Sequence, residues 1–268
     1  MDKTEYMRRD WDARAAKDAF FYIATWRKDW DVSGFFKSGE EDYQRLVAPV
    51  LERFGFAPQD KRALELGCGA GRMTSVFVKE FSHVTAVDIS AEMLDRAKQL
   101  LPDVENVTWK HSNGEDLRDT EDASIDFVFT YLVLQHLPDE KLVRNYIREM
   151  LRVLKPSGMC LFQFNGMEKP NMNWKGRLAW GVIDGLWLIH LSGLSRFVAR
   201  SLGFDPDMAG RSWNGAAMSD EKVIEAVGSS GGEVLQLSGE GTAMAWCCAR
   251  KRASNAPSRK TPVRVDAE

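Results

Sequence analysis

The chain has 268 residues, 44% hydrophobic and 28% charged, enough for one large globular domain that buries about 75% of its unfolded surface. A net charge of −3, from 36 Lys and Arg against 39 Asp and Glu, argues against a general nucleic-acid binder, which is usually basic. Four cysteines with no Cys-x-x-Cys spacing and no matching histidine pattern read as reduced core residues, so neither a metal centre nor a disulfide framework is expected.

Residues 1–56 read as a helical extension, with Tyr6, Trp11, Phe20, Trp26 and Trp30 among charges. The start, Met-Asp-Lys-Thr-Glu-Tyr, lacks the apolar core of a signal peptide, so a cytoplasmic protein is expected. From Glu41 to Phe54 apolar residues recur at helical intervals, and Pro49 should kink that helix or open a new one.

A domain over 57–252 then alternates strand and helix, as a doubly wound, mostly parallel seven-stranded sheet requires. Ala63, Leu64 and Leu66 give a buried strand at 61–66. Gly67, Gly69 and Gly71 allow a sharp turn, and Met73, Val76, Phe77 and Phe81 give a helix over 71–81. A second strand, 83–88, ends on Asp88, and Ser90 caps the next helix. Strands at 107–111 and 125–129, a helix over 139–154, a Lys155–Gly158 turn and a strand at 159–164 follow. Residues 165–216 break the pattern as a tryptophan-rich helical insertion, too short and too polar to span a membrane. A helix capped by Ser219 and a hairpin over 233–248 finish the sheet, and the basic 253–268 tail is expected to be disordered.

The pieces Glu65-Leu-Gly-Cys-Gly-Ala-Gly-Arg72, Val87-Asp-Ile-Ser90, Asn113-Gly-Glu-Asp-Leu117, Asp126-Phe-Val-Phe129 and Leu154-Lys-Pro-Ser-Gly158 come in the order and near the spacing of one family. The sequence resembles the class I S-adenosylmethionine-dependent methyltransferases, with a Rossmann-like fold. The resemblance implies S-adenosylmethionine as cofactor. Gly67, Cys68, Gly69 and Gly71 would form its loop, with Glu65 at the methionyl ammonium and Asp88 on the ribose hydroxyls. Ile89 and Met93 would sandwich the adenine, and Asn113 would offer its amide to the adenine amino group. Gly114, Glu115 and Thr130 would lie nearby, and Arg72 would anchor a carboxylate of cofactor or substrate. N-terminal extensions in this family often cap the cofactor cleft.

Catalytic candidates after the fourth strand are Tyr131 and His136. Trp180, Asp184, Trp187 and His190 of the insertion are candidates for a substrate pocket. No metal is implied. The Pro-Pro-aromatic, Pro-Cys and paired-glutamate signatures of nucleic-acid and protein-arginine enzymes are absent, which leaves a small-molecule acceptor and no nucleic-acid partner, and the tryptophan-rich insertion favours a hydrophobic or aromatic one. Oligomeric state stays open. Two alternatives compete: a non-catalytic, cofactor-binding regulatory or scaffold protein, and an NAD-dependent oxidoreductase. The latter wants a third glycine where Arg72 stands.

Overall fold

Ala63, Leu64 and Leu66 leave strand β1 (Arg62–Leu66) no polar face, and it lies inside the sheet with both faces covered. The computed structural model describes residues 3–167, 178–179, 181–182, 185–186, 192–202, 215–253 and 262–265. Parallel neighbours of β1 are β2 (His83–Asp88) and β4 (Ile125–Thr130). Outside them lie β3 (Val107–His111) and β5 (Leu154–Phe164). The antiparallel β7 (Ala245–Lys251) separates β5 from β6 (Gly232–Ser238), giving the order β3-β2-β1-β4-β5-β7-β6-β8.

Chain direction across the sheet reverses between β1 and β4, so a crevice opens beyond their carboxyl ends. Tyr43, Phe77, Phe81, Phe127 and Phe129 form the core on one face. Tyr146, Ile147, Met150, Val223 and Val227 form it on the other, from α6 (Glu140–Val153) and α8 (Asp220–Ser229).

Several boundaries differ from the sequence expectations. Helix α4 (Thr74–Glu80) starts three residues late, because positive φ at Gly67, Gly69 and Gly71 spends the first residues in turns. The helix expected over 41–54 is divided. Helix α2 (Val32–Asp42) enters a π turn at Tyr43–Val47, and α3 (Ala48–Arg53) opens with Pro49 in its first turn, where a missing N–H costs nothing. Lys155–Gly158 lies within β5, with Ser157 at φ 66° absorbing the bend. Ser219 sits at the N-cap of α8 without a side-chain capping bond.

Among the described residues the sheet has eight strands rather than seven. Val263–Val265 of the expected disordered tail pairs in parallel with β6 as β8, and Arg264 meets Glu240 and the buried Asp220. Among the described residues of the insertion, α7 (Ser192–Ser201) is helical. No helix among the described residues is long and apolar enough to cross a membrane.

Candidate active site

The turn after β1 is tied to β2 by backbone bonds from Gly67 and Cys68 N–H to the carbonyl of Val87, 2.7 and 3.0 Å. Asp88, at the tip of β2, then accepts from Gly69 N–H at 2.7 Å and from Ser90 N–H at 2.8 Å. Ser90 Oγ takes the Met93 N–H to start α5 (Ala91–Leu100) and donates to Asp12 at 2.7 Å. Asp12 belongs to α1 (Lys3–Ile23), so the N-terminal helix is fastened directly to the acid-bearing turn.

A cavity of about 1080 Å³, open solvent at its mouth included, lies above these strand ends. Its floor holds Glu65, Gly67, Cys68, Gly69, Arg72, Asp88, Ile89 and Met93. Gly114 joins them, as do Tyr131 and His136 from the segment after β4. Four expected residues stand apart from this lining. Gly71 serves the turn, where a Cβ would lie 3.0 Å from Leu101. Thr130 is fully buried, and its hydroxyl has no partner among the described residues. Asn113 spends its Oδ1 on the N–H groups of Glu115 and Asp116, at 2.8 and 3.1 Å, and so caps its own turn; Glu115 is exposed beside it. Trp180, Asp184, Trp187 and His190 lie outside the described residues.

Contributors that the sequence reading missed are Met7, Tyr22, Ile23, Thr25, Gln135 and Tyr146. The first four come from the N-terminal segment, where Trp11 sits edge-on to His136 with centroids 5.3 Å apart. Their signal was the density of aromatics before residue 40. Its target was hidden, because Asp18 breaks the helix at φ −166°, ψ 86°, and sets where Tyr22 and Ile23 fall.

The two acids are buried by different means. Glu65 accepts from Thr74 Oγ1 at 2.6 Å, and burial pushes its carboxyl up to about 8 against the pull of Thr74 and Arg72. Burial also raises Asp88, opposed by its backbone donors. Arg72 is the one arginine or lysine among the described lining residues. Its charge is already taken: Nη1 meets Asp42 at 2.7 Å and the Ser38 carbonyl at 3.2 Å, and the guanidinium lies over the Trp26 and Tyr131 rings. The expected carboxylate anchor is therefore ion-paired within the protein. Burial raises the Tyr131 phenol, with Asp42 adding to the effect, so it stays protonated as a donor.

The site fits an adenosylmethionine-like ligand. Two acids face a cavity whose bare-backbone floor has no room for side chains. A Cβ on Gly67 would meet Val133 at 2.1 Å, on Gly69 Ile23 at 2.7 Å, and on Gly114 Ile89 at 2.4 Å.

A methyltransferase-domain family profile matches residues 64–162. A trans-aconitate 2-methyltransferase of Azoarcus sp. is 36% identical over 139 residues, half of each chain. A ubiquinone biosynthesis O-methyltransferase of Idiomarina loihiensis is 29% identical over 50% of this chain and 54% of its own. The chain thus spans about half the length of these relatives. Among solved structures, the magnesium protoporphyrin IX methyltransferase of Synechocystis PCC 6803 with bound SAM superposes with TM-score 0.59 at 14% identity, covering 94% of this chain and 98% of that one. At that identity the likeness is one of fold. Residues 64–162 thus carry a methyltransferase domain, and the matched motifs, sheet order and acid-lined glycine turn are those of the class I S-adenosylmethionine-dependent methyltransferases.

Proposed function

We propose that the chain methylates a small, hydrophobic or aromatic acceptor in this cavity, with S-adenosylmethionine as donor. One observation carries the reading: Glu65 and Asp88 flank a glycine-rich turn beneath a cavity otherwise lined mostly by apolar and aromatic groups. The cofactor supplies a methyl on a cationic sulfur, open to in-line displacement. Glu65 holds the methionyl ammonium and Asp88 the ribose hydroxyls, while Ile89 and Met93 bracket the adenine. Asp88 keeps free lone pairs on both oxygens after its two backbone bonds, so it accepts further donors.

On the acceptor side, Trp11, Tyr22, Leu132, Val133 and Leu137 provide apolar surface, and Tyr131 and His136 provide polar tips. Aligning acceptor and methyl contributes roughly 7–11 kcal/mol in well-oriented systems. The aromatic wall serves that alignment by excluding water and limiting approach. Residues 3–23 form a cap over the cavity. Its polar fastening is Asp12 to Ser90 at 2.7 Å and Lys3 to Asp139 at 2.9 Å.

The test is turnover: the full chain with S-adenosylmethionine and a panel of phenolic, aromatic-amine, aliphatic and polycarboxylate acceptors, read as S-adenosylhomocysteine formed. Product with a phenolic or aromatic acceptor supports the reading. Binding of S-adenosylhomocysteine with no turnover on any acceptor favours the regulatory alternative, and turnover on polycarboxylates alone rejects the apolar acceptor.

A further inference from the structure

A buried carboxamide outside the cavity fixes the chemistry of a side chain inside it. Gln163, near the end of β5, is completely buried and does not line the cavity. Three of its partners are backbone groups whose roles admit no choice. Its Oε1 accepts from the Leu132 N–H at 3.1 Å, and its Nε2 donates to the carbonyls of Phe164 and Ala243 at 3.0 and 2.8 Å. The orientation of the amide is thereby set.

Its Nε2 also lies 3.0 Å from Oε1 of Gln135, so its two hydrogens are shared among three oxygens, and a Gln135 nitrogen in that place would set donor against donor. With its oxygen committed there, Gln135 turns its NH2 toward His136 Nε2, 3.1 Å away. A carboxamide nitrogen only donates, so His136 Nε2 accepts, and a neutral imidazole then carries its proton on Nδ1. The same Gln163 oxygen holds the N–H of Leu132, a non-glycine residue at φ 59°. A side chain with a Cβ is strained in that left-handed region. One side chain therefore braces both the strained start of the segment and its histidine.

We propose that Gln163 is a positioning residue: acting through Gln135, it locks His136 in the Nδ1–H tautomer, with Nε2 reserved for a hydrogen-bond donor. Gln135 and His136 both line the cavity, and the Gln135 NH2 stands where a bound acceptor's own donor would sit after displacing it. The matching acceptor carries a hydrogen on its nucleophile, a hydroxyl or an amine. This last step rests on the methyltransferase reading, whereas the tautomer does not.

The experiment is long-range proton–nitrogen NMR on the full chain labelled with nitrogen-15 histidine, with His136 assigned by its loss in His136→Asn. The wild type should show the Nδ1–H pattern. Gln135→Glu replaces the donor facing Nε2 by an acceptor and should convert His136 to a form protonated on Nε2. Gln163→Glu removes the donor that anchors Gln135 and should give a mixture of tautomers, with turnover on a hydroxyl or amine acceptor reduced at least about tenfold in kcat. An Nε2–H pattern in the wild type, or an unchanged pattern in folded Gln135→Glu, would overturn the relay. Should Gln163→Glu fail to fold, Gln135→Glu decides the matter alone. Turnover restricted to acceptors with no hydrogen on the nucleophile would overturn the acceptor class. Absence of any turnover beside an intact Nδ1–H pattern would count against the enzyme reading and leave the relay standing.

Discussion

Glu65 gives the sharpest quantitative prediction. Its carboxyl is pushed up to about 8 by burial, yet it is assigned to a cationic ammonium, which needs the ionised form. At pH 7 such a group is about 90% protonated, so binding must expel close to one proton. If the bound state is ionised throughout, affinity grows as the free protein loses that proton. The factor between pH 6 and pH 8 is about 50, or roughly 2.3 kcal/mol. Titration calorimetry with S-adenosylhomocysteine, in two buffers of different ionisation enthalpy at pH 7, should report about 0.9 proton released per ligand. Glu65→Gln should bind more weakly at pH 8, with neither proton release nor the pH slope. A wild-type affinity flat from pH 6 to 8, with no buffer dependence, would refute the assignment.

The same group ties stability to pH. Its folded value lies above the unfolded 4.5, so between about 4.5 and 8 the folded chain keeps a proton that the unfolded chain has released. Its contribution is complete below 4.5 and declines by up to about 1.4 kcal/mol per pH unit as pH rises toward 8. Urea unfolding of Glu65→Gln should lack that decline.

Asp88→Ala should weaken S-adenosylhomocysteine binding by about 10- to 150-fold, since a hydrogen bond to a charged group contributes roughly 1.5–3 kcal/mol; equal affinity in a folded variant would contradict the ribose role. Asp42→Ala strips the buried Arg72 of its counter-charge and should cost about 3–5 kcal/mol in urea unfolding, while Asp42→Ala/Arg72→Met should recover much of it. Trp11→Ala opens the acceptor wall beside His136 and should raise the KM for the acceptor several-fold, read by S-adenosylhomocysteine formed, with the Kd for S-adenosylhomocysteine little changed.

What the sequence made legible was local. An apolar strand, glycines and a helical period lie within twenty residues of one another, and Asp88 stands at the end of its own run, so β1, β2 and both acids fell where expected. Asn113 shows the limit. Its residue type suits an adenine contact, but a short amide in a turn also bonds its own backbone, and here that local bond won. The cap was foreseen as an extension, but which of its side chains meet the glycine turn depends on the kink at Asp18 and on packing across the fold. Gln163 did leave a signal: it is the polar residue in the run Met159-Cys-Leu-Phe-Gln-Phe164, and a buried amide must find partners. Those partners sit 28, 31 and 80 residues away, beyond any periodicity.

The electrostatics of the cavity bear on the sign of its ligand. A dinucleotide brings an anionic diphosphate to the glycine turn, and such a ligand wants an open helix N-terminus or a free cation. Here the turn is bordered by two acids, and Arg72 is spent on Asp42 and the Ser38 carbonyl. Arg72 also occupies the place where a third glycine would let helix and strand approach. Among the described lining residues no free cation stands ready for a diphosphate, whereas a cationic ligand draws the proton from Glu65. A positive guest therefore recovers part of the energy raised by burying these carboxyls. That is why NADH should leave the melting temperature unchanged under conditions where S-adenosylmethionine raises it, and a larger rise with NADH would reverse the argument.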